Sequence, residues 1–312
     1  MGMFTAIPVW IIQDLLVFAA AAMTVSYIIK NEKHPIQVLM EFIFFIAYAA
    51  TYENFATVMG NPGYYEYGRS ILMIFNVPLS IPVFEFLVVY ASLKVLERMR
   101  IPTWCKPFVV GFFAILADFS LDPVSVKQIF QTNEGLVGRW VWFPLPGEVQ
   151  IYGEPVMNFT GWLFITGYAV AFILLGRWWF KKSGYKKSVG YAYPILAMVV
   201  SLLCVVSPLS QFLSYMWPFF PRGGNAEWVM LIAALVIPIL LLIVFWRGRM
   251  KAPLQIKGNF IVLFTLLGFP IINIIFCIVG GYWQILWLML LSAVVTWLWI
   301  SFIYVMGKRH KE

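Results

Sequence analysis

Nine stretches of roughly 20 residues, each almost free of charge, divide this chain of 312 residues. They fall near 7–29, 36–58, 71–93, 106–121, 156–177, 190–216, 226–246, 258–279 and 283–306. A helix of that length covers the hydrocarbon core of a bilayer. Lipid offers no partner to a backbone N–H or C=O, so each run is expected to close its hydrogen bonds internally as a helix. Runs such as LIAALVIPILLLIVFW are apolar on every side, unlike the alternating strands of a membrane barrel. Composition agrees. Hydrophobic residues make up 62% of the chain and charged residues 12%, about half the share a soluble domain uses to clothe its surface. The expected fold is all-α: one polytopic transmembrane domain over residues 1–312, with about nine helices. The fourth run is the shortest. No basic segment precedes the first, which argues against a cleaved leader.

The basic residues orient the bundle. Lys30 and Lys33 follow the first run, and Lys94, Arg98, Arg100 and Lys106 lie between the third and fourth. Arg177, Lys181, Lys182, Lys186 and Lys187 follow the fifth, and Arg247, Arg249, Lys251 and Lys257 follow the seventh. Lys308, Arg309 and Lys311 end the chain. Eighteen of the 22 Lys and Arg thus sit on alternate connections, leaving Arg69, Lys127, Arg139 and Arg222 on the others. The positive-inside rule then predicts an outer N-terminus, a cytoplasmic C-terminus and a multi-pass protein of the cell membrane. A missed or invented span would break that alternation. The net charge of +8 is explained by topology and anionic head groups, so membrane lipids are expected partners and nucleic acid is not.

Several chemistries lack their residues. Cys105, Cys204 and Cys277 stand alone, and the two His, His34 and His310, lie in basic segments. Haem, zinc and His-ligated iron sites need several imidazoles or thiolates converging from the bundle. Neither a G-x-x-x-x-G-K-[ST] nor a G-x-G-x-x-G loop is present, so no nucleotide site is signalled. The expectation is no cofactor, no metal site, and chemistry run on carboxylates, amides and aromatics.

Ionisable groups inside spans are costly and mark function by default. Glu53 and Asn54 end the second run, and Asn76 lies early in the third. Asp118 ends the fourth, followed one turn later by Asp122-Pro123; Tyr152, Gly153, Glu154, Pro155 and Asn158 lead into the fifth. The orientation brings all of these to one level beneath the outer surface. Glu41, near the cytoplasmic end of its run, and Glu85, deep in the third, lie off that level. Plainer readings exist for single members. Asp122 before Pro123 suits a turn, Asn158 suits a helix cap, and Glu154 suits a solvated loop. The longest connection, 122–155, carries Trp140, Trp142, Phe143 and Tyr152. These suit an interfacial belt or a lid over a slot for a long apolar substrate.

Taken together, Asp118-Phe-Ser-Leu-Asp122-Pro123, Trp140-Val-Trp142, Tyr152-Gly153-Glu154-Pro155 and Asn158-Phe159-x-Gly161-Trp162 resemble the membrane-bound carotenoid biosynthesis family, which includes bisanhydrobacterioruberin hydratase and γ-carotene 1′,2′-hydratase. The marked motifs span about 45 residues. The resemblance implies a hydro-lyase that adds water across a terminal C=C of an acyclic carotenoid. Its substrate would be a hydrophobic isoprenoid in the membrane, with other enzymes of that pathway as partners. A protonated carboxyl would attack the alkene, a tertiary cation would form, and water would capture it, a nearby carboxylate stabilising the cation and orienting the water. Asp118, Asp122 and Glu53 are the catalytic candidates, with the proton donor among them open. Asn54, Asn76, Trp140, Trp142, Tyr152, Glu154, Asn158 and Trp162 are the substrate-binding candidates.

Two alternatives stand beside this reading. An intramembrane prenyltransferase or lycopene-elongase-like enzyme would use Mg²⁺ and an isoprenyl diphosphate. It needs two aspartate-rich motifs and basic residues for the diphosphate, whereas the single D-x-x-x-D here lies on the face away from most basic residues. A non-enzymatic lipid or isoprenoid transporter or scaffold would leave carotenoids unmodified, and the internal repeat and paired broken helices of many transporters are not evident.

Overall fold

A computed structural model describes residues 9–59, 64–68, 70–132, 135–213, 223–246, 248–256 and 258–309. The basic residues Arg69, Arg222, Arg247, Lys257 and Lys311, with His310, lie outside these residues.

Apolar composition on every face makes helices that bury themselves in one another or in lipid. Those described are α1 (Val9–Asn31), α2 (Pro35–Val58), α3 (Ser80–Glu97), α4 (Lys106–Lys127), α5 (Val156–Lys182), α6 (Lys187–Val205), α7 (Pro208–Leu213), α8 (Asn225–Leu241), α9 (Phe260–Leu263), α10 (Phe269–Gly280) and α11 (Trp283–Arg309). Helix α8 runs on through a π-helical turn, Leu242–Trp246, and another, Phe264–Gly268, joins α9 to α10. Eight spans among the described residues are long and apolar enough to cross a membrane.

Among the described residues α3 is the ninth long helix, and its composition differs because its place differs. It carries Glu85, Lys94 and Glu97, and all but two of its 18 residues are buried. A helix sheathed by other helices need not be apolar throughout.

Three expected boundaries move. The third run begins as helix only at Ser80, because residues 73–78 form a two-stranded turn, Met73–Ile74 against Val77–Pro78. The fourth is not short: α4 passes through Pro123 to Lys127, since a proline late in a membrane helix frees few backbone groups. The connection expected over 122–155 therefore starts at Gln128. The sixth run breaks after α6, and Pro208 opens the separate α7, as proline suits a first turn.

The short strands gather at one end of the bundle. Tyr65–Tyr67 pairs antiparallel with Trp140–Trp142, joining the α2–α3 and α4–α5 connections. Ile129–Thr132 pairs with Gly135–Gly138, and Gln150–Ile151 with Glu154–Pro155. At the opposite end, Met99 bridges Met250, and Arg100 N donates to Arg249 O at 2.9 Å. Helix α1 starts at the strand-bearing end, where Asp14 meets Ser70 and Ser80. Helix α11 starts there too, with Trp287 against Tyr152. Among the described residues the long helices alternate between the two ends, as the basic residues predict.

Helices α4 and α5 approach most intimately at Gly111. A Cβ there would lie 2.5 Å from a Leu163 side-chain carbon and 3.0 Å from its Cα. Small residues permit such close approach between membrane helices, and this crossing sets Asp118 and Asp122 against Asn158.

Candidate functional site

Asp118 and Asp122 are separated by one helical turn, so both project from one face of α4. That face meets the first turn of α5. There Asn158 Nδ2 donates to Asp118 Oδ2 and to Asp122 Oδ2, each at 3.1 Å. Asp122 is thus neither a cap nor a turn residue, and Asn158 caps nothing: one amide clamps two acids.

Glu154 joins them through the turn before α5. Tyr152 and Gly153 have φ of 57° and 103°, the paired positive values of a two-residue hairpin turn that reverses the chain tightly. The reversal sends Glu154 into the bundle, where it is fully buried and within hydrogen-bonding reach of Asp122, which is likewise within reach of Asp118. Burial first, and the Asp122 charge second, hold the Glu154 carboxyl well above the usual carboxylate range.

Among the described residues, Asp118 Oδ1, Asp122 Oδ1 and both Glu154 oxygens are buried without a hydrogen-bond donor. Buried polar atoms without partners are uncommon and call for a reason. Two carboxyls attract one another only with a proton between them.

Glu53 stands beside this trio under an aromatic roof. It accepts from the hydroxyl of Tyr67 at 2.5 Å and also from that of Tyr65. Both tyrosines lie on the strand whose partner carries Trp142 opposite Tyr65 and Trp140 opposite Tyr67. Their rings meet at 4.4 Å and 5.3 Å between centroids, and such pairs add about 0.5–1.5 kcal/mol each beyond burial. Burial and the Glu53 charge hold both tyrosine hydroxyls well above their ordinary range, so they remain donors.

Glu85 sits closer than the sequence suggests. Because α3 begins at Ser80, Glu85 lies in its second turn rather than deep in the span, and accepts from Tyr52, the chain neighbour of Glu53. Its other oxygen is buried without a donor.

The remaining candidates take other places. Trp162 lies one turn beyond Asn158 on α5, in the core. Tyr152 turns toward α11, where Trp287 Nε1 donates to its hydroxyl. Asn54 and Asn76 brace the 73–78 turn. Asn54 donates to Ile74 O at 3.1 Å and accepts from Asn76 N at 2.9 Å, while Asn76 donates to Thr57 at 3.3 Å. The structure does not bring these two amides to the carboxylates.

A second polar group gathers at this end around Asp14 and Gln13. Asp14 of α1 accepts from Ser70 Oγ at 2.6 Å, Ile71 N at 3.0 Å, Ser80 Oγ at 2.7 Å and Arg139 Nη2 at 3.3 Å. Gln13 accepts from Arg139 and from Gln128 Nε2, and donates to Asn273 at 3.4 Å. Burial pushes the Arg139 guanidinium down to about 10, against the pull of Asp14. A single acidic residue in an apolar run does point to a partner, but the partner is 125 residues away.

Residues 12–221 match the carotenoid biosynthesis protein family. The match includes α1 to α7 and every carboxylate described above, while α8 to α11 lie beyond it. No curated protein and no solved structure matches the chain. With two thirds of its length in that match, and the motifs at Asp118 to Trp162 inside it, the chain belongs to the carotenoid biosynthesis protein family, as a multi-pass membrane protein with a role in making carotenoids.

Proposed function

We propose that this protein is a carotenoid hydratase, adding water across the terminal C=C of an acyclic carotenoid end. The observation that carries the reading is the buried carboxyl group of three, Asp118, Asp122 and Glu154, in contact with one another and clamped by an amide instead of a cation. Such a group supplies a proton in an apolar setting, which is what an unactivated alkene demands.

The steps balance with no redox partner. One carboxyl of the Asp118–Asp122 pair gives its proton to the less substituted alkene carbon. A C–H bond forms, the π bond breaks, and the adjoining carbon becomes a tertiary cation. The new carboxylate and Glu53 would stabilise that charge, and the faces of Tyr65, Tyr67, Trp140 and Trp142 suit a cation in transit. Water then forms the C–O bond and its proton returns to the carboxylate, restoring the acid. Tyr65 and Tyr67 hold Glu53 in place, and Asn158 holds the aspartates in register.

On this reading the strand-bearing end faces outward, following the positive-inside rule. The test is pigment extraction and mass spectrometry from cells that make acyclic carotenoids, with and without this gene. The expected result is a carotenoid heavier by one water or two, absent without the gene. Accumulation of a carotenoid lengthened by an isoprenyl unit instead would replace this reading with a prenyltransferase.

A further inference from the structure

Around α4 from the carboxylates, Gln13, Ser80, Arg139 and Asn273 line a cavity together with Leu16, Leu121 and Phe269. The room it gives to water centres is about 20 Å³, where one water needs about 10–15 Å³ and two to four polar partners. All four polar residues are buried, each at 6% exposure or less. Size and lining together select the ligand: nothing larger than a water or two fits, and the Ser80 hydroxyl, the Asn273 amide and the Arg139 guanidinium each have donor or acceptor capacity beyond the bonds they already make.

The cavity and the carboxyl group share α4. Leu121 in its wall directly precedes Asp122, and Arg139 lies within electrostatic range of both Asp122 and Tyr67. Arg139 is followed by Trp140, whose ring packs on Tyr67, the donor to Glu53. A polar, water-sized chamber thus shares α4 with the carboxyls where a hydration would need water.

We propose that this chamber is a water-binding site that supplies the co-substrate, with Gln13, Arg139 and Asn273 as positioning residues. It rests on the hydratase reading. Proton delivery and water delivery then belong to different groups of residues. A cation starved of water would lose a proton back to the carboxylate and return to alkene.

Asn273→Leu is the sharpest variant, because the two hydrogen bonds of Asn273 are both long, 3.4 Å to Gln13 and 3.4 Å to Ser120. Leucine fills and dries the chamber, whereas Asn273→Ser keeps it polar. Two measurements are made on the full-length protein. In X-ray hydroxyl-radical footprinting, bound water oxidises the side chains beside it. Phe269, though buried, should be labelled in the wild type and protected in Asn273→Leu.

In D₂O with an acyclic carotenoid, Asn273→Leu should lose hydrated product by about tenfold, the worth of one positioning hydrogen bond. Deuterium exchange into the recovered carotenoid should persist, and Asn273→Ser should restore hydration. An unlabelled Phe269 in the wild type overturns the water site. So does Asn273→Leu hydrating like wild type, or losing exchange and hydration in equal measure. A wild type that labels Phe269 but neither hydrates nor exchanges overturns the hydratase reading and leaves the water site standing without that role.

Discussion

The two ends of the bundle are built from the same residue types and surround their acids in opposite ways. At the basic end, Arg177 donates to Glu41 at 2.8 Å and 2.6 Å and to Glu97 at 3.2 Å, and Lys94 bridges Glu97 at 2.7 Å and Glu32 at 3.0 Å. Tyr90 and Tyr193 complete the network with hydroxyls on Glu32 and Glu41. At the strand-bearing end, Asp118, Asp122, Glu154, Glu53 and Glu85 gather with amides and phenols. The one ion pair described there is Arg139 with Asp14, at 3.3 Å. An acid facing a cation is fixed as an anion and braces helices. An acid facing other acids can keep a proton and give it away.

The comparison predicts that mutations at the two ends fail in different ways. Asp118→Asn, matched in size but unable to deliver a proton, should cut turnover per folded protein by about 10²–10⁴-fold, the range of general acid catalysis. Gel filtration in detergent should show it folded. Asp122→Asn should follow it if the pair shares the proton. Arg177→Met should do the reverse, because it strands Glu41 as an unpaired buried charge. A loss of about 3 kcal/mol in stability is expected, the lower range for breaking a buried pair. Turnover per folded molecule should be unchanged. Equal losses of turnover at both ends would erase the distinction.

Gly111→Ala should have an intermediate effect. The added Cβ meets Leu163, and overpacking of this kind costs about 1–3 kcal/mol. The separation of α4 from α5 should loosen the Asn158 clamp, lowering both thermal stability and turnover. A rise in stability would show that the crossing is not tight.

The smallest effect is on pH dependence. Glu154 holds its proton above the usual carboxylate range, so from about pH 4.5 upward the unfolded chain binds fewer protons than the folded one, and stability falls as pH rises. Glu154→Gln carries no such proton and should flatten that decline in the midpoint of thermal unfolding. An unchanged slope would remove Glu154 from the proton-sharing group.

The sequence revealed the charge-bearing ends unequally. The alternation of basic residues placed the helices, because topology is written locally in loops flanking each span. Asp118 and Asp122 are legible from spacing, since i, i+4 on a helix means one face and an intramembrane acid is costly, while Asn158 is legible from its place at the outer start of the fifth run. Only half of the roof is legible: Trp140 and Trp142 suit a lid, but Tyr65 and Tyr67 carry no such sign, although Tyr65-Glu66-Tyr67 and Trp140-Val141-Trp142 each alternate with the period of a strand. Their pairing joins segments about 75 residues apart, and nothing local announces a partner. Asp14 with Arg139 escaped for the same reason. The position of Glu85 depended on where α3 starts, which hydropathy misplaced by nine residues because the 73–78 turn is itself apolar.

Addition of water by acid catalysis at this end of the bundle leaves an isotopic trace in the product. The direct measurement supplies purified protein with an acyclic carotenoid in oxygen-labelled water containing EDTA, and follows the product by mass spectrometry. The account predicts a product carrying one labelled hydroxyl per modified end, formed without metal, nicotinamide or nucleotide. A carotenoid left unchanged, or modified only when Mg²⁺ and an isoprenyl diphosphate are supplied, would contradict it.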